Sequence, residues 1–110
     1  MHVIVVRSLL GMDARLRAIY NGMMDKLKAG DINGGLDNMT GTMREKYEPL
    51  LISYGGSLAS IVDQIGTIAG GGIMGSVAEY VIVRDEGGQQ VAFFVYFVRG
   101  SDGIWRIGEM

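Results

Sequence analysis

The sequence predicts a single α+β domain, with helices in its first half and a curled antiparallel sheet in its second. Three observations carry this. Apolar residues recur at helical spacing between Asp13 and Tyr54. From Ile65 onward the period becomes two, most cleanly over Ser76 to Arg84. Two glycine-bearing turns, Asp85-Glu86-Gly87-Gly88 and Gly100-Ser101-Asp102-Gly103, then join successive strand patterns as hairpins. With 110 residues, the chain can build one core but not two.

His2 to Arg7 is β-branched and reads as a strand ended by Gly11. It is expected to be the exit strand of an upstream domain or an edge strand, with 12–110 as the domain proper. Asp13 to Ala29 is the clearest helix. Leu16, Ile19, Tyr20, Met23 and Leu27 form its apolar face, Asp13 can cap it and Gly30 lies where the chain leaves it. A short helix over Ile32 to Asn38 turns Ile32, Leu36 and Met39 inward. Thr42-Met43-Arg44-Glu45 matches a capping box for a third helix with the stripe Met43, Tyr47, Leu50, Leu51 and Tyr54, bent near Pro49. Ser57 begins a last helix through Leu58, Ile61 and Val62 to Gln64.

A strand near Gly66 to Ala69 comes next, with Gly70 to Gly72 as a turn or bulge. Val77, Glu79, Val81 and Val83 face one way from the following strand, and Ala78, Tyr80, Ile82 and Arg84 the other. Gln90 to Arg99 is the strongest strand and Ile104 to Ile107 the last. Val91 to Val98 is apolar on both faces. One face covers the helices; the other needs a cover of its own, most simply a second subunit packed sheet against sheet.

Composition narrows the chemistry. Net charge is near −2 with both signs scattered, so no basic stripe invites nucleic acid. Cysteine is absent and His2 is the single histidine, which excludes disulfides, thiolate sites, and a histidine triad or multi-histidine metal site within one chain. No metal or cofactor is expected. The uncharged run from Ile65 to Ala78 is too short to span a bilayer, and the start lacks a signal-peptide pattern, so the chain reads as soluble.

The ending Asp102-Gly103-Ile104-Trp105-Arg106-Ile107, after helices and a meander, resembles the nuclear-transport-factor-like superfamily, also called ketosteroid-isomerase-like or cystatin-like rolls. That resemblance implies a curved sheet wrapped round the first helix and a conical cavity. Tyr20-Asn21-Gly22-Met23, Lys26 to Ile32, Arg44-Glu45-Lys46-Tyr47 and Tyr96-Phe97-Val98 resemble C-terminal modules of large bacterial surface proteins. The implied setting is a cell-surface or secreted protein, with a cytoplasmic one as the alternative. The superfamily's isomerases use a carboxylate base with an oxyanion hole of a tyrosine and a protonated aspartate. No aspartate falls inside the strands expected here, so that set is not matched residue by residue.

Candidate sites follow. Glu79 lies mid-strand among valines. Facing a cavity it would serve as a general base; facing solvent or a dimer partner it is a surface charge. Tyr20, Tyr54, Tyr80, Tyr96 and Trp105 are candidates to rim a cavity for a small apolar ligand, and equally fit core or interface. Gly70-x-Gly72-x-x-Gly75 spells a dinucleotide fingerprint but lacks the strand-to-helix context it needs. Asp31-x-Asn33 lacks the glycine and glutamate of a calcium loop and reads as a helix cap. The expected function is a non-catalytic interaction module, dimeric through its sheet; the alternative is a ligand binder or isomerase using the cavity.

Overall fold

The computed structural model describes residues 2–110, with side chains from Gly11 onward. Helices α1 (His2–Lys28), α2 (Ile32–Leu36), α3 (Gly41–Tyr54) and α4 (Leu58–Ile65) precede strands β1 (Thr67–Met74), β2 (Val77–Glu86), β3 (Gln89–Arg99) and β4 (Trp105–Glu109). A single 3-10 turn, Gly55–Ser57, joins α3 to α4. The strands form one antiparallel meander in the order β1-β2-β3-β4. The α+β class and the meander match the sequence expectation. None of the described helices is long and apolar enough to cross a membrane.

The first correction concerns His2 to Arg7, which is helical rather than extended, and α1 runs on through Gly11. β-Branched residues cost a helix only tenths of a kcal/mol each, and one glycine about 1 kcal/mol. A lone strand has unpaired backbone groups unless a sheet receives it, whereas a helix pairs its own. Asp13 therefore lies inside α1 instead of capping it. The C-terminal end is as expected: Gly30 takes φ +86°, its N–H donates to Leu27 O at 3.0 Å and the Asp31 N–H donates to Lys26 O at 2.8 Å. This six-to-one, five-to-two pair is the Schellman stop.

Asp31 caps α2, accepting the Gly34 N–H at 2.9 Å. The cap of α3 is Thr40, not Thr42: its hydroxyl accepts from Met43 N at 3.4 Å. The helix is continuous through Pro49. Ser57 precedes α4 without a side-chain cap bond. Between Ile68↔Ile82 and Gly71↔Tyr80 the β1–β2 register shifts, so Ala69 and Gly70 together oppose Val81. This is the bulge expected at the glycines. The turn joining β2 to β3 is Gly87-Gly88, both at positive φ (+56° and +84°), the geometry a two-residue hairpin demands.

The core lies between α1 and one sheet face. Leu16, Tyr20, Met23 and Leu27 of α1 are fully buried, as are Ala78, Tyr80 and Ile82 of β2, Val95 and Phe97 of β3 and Ile107 of β4. Each large apolar side chain removed from water contributes about 1.5–3 kcal/mol. Residues 38–40 attach to β4: Met39 bridges Ile107 in parallel, Thr40 N donates to Ile107 O at 2.9 Å, and Ile107 N donates to Asn38 O at 2.8 Å. The α2–α3 connection thereby covers the outer edge of the sheet at β4.

Candidate functional site

Burial on β2 alternates strictly, with Ala78, Tyr80 and Ile82 inward and Val77 and Glu79 exposed. Cross-strand pairing extends this to β3: Val77↔Val98, Glu79↔Tyr96, Val81↔Phe94 and Val83↔Ala92 share the face turned away from the helices. Between Val77 and Ala92 that face is apolar but for Glu79, with Arg106 of β4 beside Val98. Val77 is 44 % exposed, Phe94 56 % and Met74, at the end of β1, 85 %. Phe94 and Tyr96 stack along β3 with ring centroids 6.1 Å apart. On the β1 side, where Gly70 and Gly72 carry no side chains, the face sinks into a hollow of about 490 Å³ bordered by Met74, Val77, Glu79 and Tyr96.

A second feature is an open cleft of about 890 Å³ between the helices and the far end of the sheet. Met24 and Leu27 of α1, Leu51 and Tyr54 of α3, and Ile82 and Phe93 of the sheet give it apolar walls, and Asp63, Arg84, Asp85 and Glu86 stand among its lining residues. Arg84 lies over the Phe93 ring at 4.1 Å and pairs with Glu86 at 2.9 Å. The arginine is thus held as a lid on an aromatic face. β2 runs two residues further than its sequence pattern indicated, so Asp85 and Glu86 are strand residues.

The sequence-predicted site residues do not converge. Tyr54 lines the cleft. Tyr20 is buried in the core, where its hydroxyl donates to Gly66 O at 3.1 Å. Trp105 is buried too, with the Arg99 guanidinium 5.7 Å from its ring. Tyr80 is buried beneath Gly71, whereas Tyr96 and Glu79 share the outer face. Glu79 forms no ion pair among the described residues.

Sequence reasoning did not find the cluster of Asp13, Arg17 and Tyr80. The Tyr80 hydroxyl donates to Asp13, Arg17 Nε lies 3.1 Å from both Asp13 oxygens, and the Arg17 guanidinium sits 5.3 Å from the Tyr80 ring. The i,i+4 spacing of Asp13 and Arg17 was visible in the sequence, but their meeting with a strand residue 67 positions on was not. This cluster pins α1 to β2. No family model, curated protein or solved structure matches the chain.

Two titrations follow from this packing. The Tyr80 hydrogen bond, with further help from Arg17, holds the Asp13 carboxyl below its ordinary 3.8. A depressed folded value stabilises the fold above pH 3.8, and that contribution is lost as pH falls below it. Burial pushes the Tyr20 phenol from 10.0 up to about 12. A raised folded value stabilises below pH 10, and that contribution is lost as pH climbs from 10 to about 12. The urea midpoint should therefore drop on both flanks. Asp13→Asn should blunt the acid limb and Tyr20→Phe the alkaline limb; limbs unchanged in these variants would refute the assignments.

Proposed function

We propose that the chain is a non-catalytic interaction module that pairs with a second copy through the outer face of its sheet. The observation that carries the reading is the continuous apolar surface of Val77, Val81, Phe94, Tyr96 and Val98, with Met74 beside it. Such contiguous exposed patches mark association sites. The motif order that resembles modules of large bacterial surface proteins supports a place in a cell-surface or secreted protein. The same resemblance supports a cystatin-like roll, with the cleft as its conical cavity.

Native mass spectrometry tests the pairing. The chain should appear as a dimer, and Phe94→Glu, which alters an exposed side chain, should convert it to a folded monomer with unchanged far-UV circular dichroism. A wild type that stays monomeric at every concentration tried would sink the reading. A second reading, a binder of a small apolar ligand, is favoured by the apolar walls of the cleft and by Tyr54 there. It requires a constant additional mass per subunit in the same spectra.

A further inference from the structure

This inference rests on the sheet-face pairing and specifies its register. We infer that the second copy sits about a two-fold axis lying in the interface over β3, between Tyr96 and Val98, so that Glu79 meets Arg106 of the partner subunit.

The argument begins with charge. Among the described residues, Glu79 is an acid without an ion pair, set between Gly72 and Tyr96 with valines and Phe94 around it. Covering it with a second apolar surface would strand a carboxylate away from water, which is strongly unfavourable unless a cation meets it. The sheet offers one base on that face. Arg106 pairs with Val98 on β3, while its neighbours Trp105 and Ile107 point into the core. Arg84 and Arg99 stand on the helix side, with Tyr80 and Trp105 respectively. Asp102 engages Arg106 at 2.9 and 3.4 Å through its two terminal nitrogens, orienting the guanidinium and leaving donors free.

Geometry then fixes the axis. Glu79 aligns with Tyr96, and Arg106 aligns with Val98 two residues further along β3. With strands ~4.8 Å apart and ~3.3 Å per residue, the two charges lie roughly 12 Å apart, and β3 passes midway between them. An in-plane two-fold that bisects their separation brings each onto its opposite in the second copy. An isologous contact forms the pair twice, once on either side of an apolar centre made by Tyr96 and Val98.

The size also suits a second copy of this chain. The strands cover about 500 Å² of flat sheet by those spacings. Side-chain relief brings the accessible area toward the ~800 Å² per partner of a standard stable interface.

The test uses the full chain and its dimer dissociation constant, with circular dichroism to verify folding. Glu79→Arg should weaken the dimer about tenfold or more, and Arg106→Glu likewise, because like charges then face each other. The double swap should return it to within about threefold of wild type. Arg106→Glu places an acid beside Asp102, so the milder pair Glu79→Gln and Arg106→Gln provides a second cycle, whose effects should be non-additive. A dimer that Phe94→Glu dissociates but in which both cycles are additive overturns this register and leaves the pairing face standing. A monomeric wild type overturns both and leaves the face to a chain of another kind.

Discussion

Phe97→Ala should lower the free energy of unfolding by about 3–5 kcal/mol, the range for emptying a buried phenylalanine site. Phe97 has no exposed surface and is the central residue of the packed layer. It pairs with Ala78 on β2 and with Ile107 on β4. Its ring meets the Tyr80 ring edge to face, at 5.6 Å and 84°. Ala78 is too small to fill the resulting void, so the neighbours cannot close it without moving the strands. A domain stable by 5–15 kcal/mol would lose about a fifth or more of its stability. Phe94→Ala, three residues earlier on the opposite face, is the control. It should change monomer stability by under about 1 kcal/mol, as surface substitutions do. Urea denaturation at protein concentrations well below the dimer dissociation constant compares the monomers, because association would otherwise stabilise the wild type and Phe97→Ala but not a Phe94 variant. Equal losses in the two variants would mean that the core lies elsewhere.

Gly71→Ala should cost about 2–4 kcal/mol although it adds one methyl group, because that methyl has no room. A Cβ there would sit 2.7 Å from Tyr80 Cγ and Cδ1 and run into the backbone oxygen of Glu79. The obstacle is the β2 backbone and a ring already fixed by its bond to Asp13, so neither yields cheaply. Gly70 and Gly72 have open space where a Cβ would go. Alanine at either should be neutral or stabilising by up to ~1 kcal/mol through the unfolded chain. Thermal melts of the three variants read this directly. A Gly71→Ala variant as stable as Gly72→Ala would show that β1 does not pack this closely on Tyr80.

The elements that were legible in the sequence are those whose signal is local. Leu16, Tyr20, Met23 and Leu27 recur at the helical period, and all four are buried. The alternation from Val77 to Val83 and the Gly87-Gly88 turn are equally self-contained. What failed locally failed where two local answers were close in energy. Val3 to Val6 suits a strand or a helix, and the choice depends on whether a sheet accepts it. Thr40 and Thr42 are two residues apart, and the capping-box spelling favoured the one that the chain does not use.

The site was less legible because residue type does not reveal which face of a strand meets the helices. Tyr80 and Tyr96 carry the same side chain. They lie on opposite faces because Tyr80 aligns with Val95 and Tyr96 with Glu79. Tyr20 and Trp105 went to the core for the same reason that they were singled out, namely large apolar area. Asp13 was read as a cap, and only the packing of α1 on β2 makes it the acceptor for Tyr80.

The bridge from Met39 to Ile107 bears on self-assembly. A sheet with two open sides can recruit a copy at each and grow without limit, as fibrils do. Here one side is occupied by residues 38–40. The other is β1, which carries no charge and no proline to discourage a newcomer. Backbone addition at β1 would use that edge of both molecules, so edge-to-edge pairing ends at two copies. The α2–α3 connection thus acts as a terminator for growth along the hydrogen-bonding direction of the sheet.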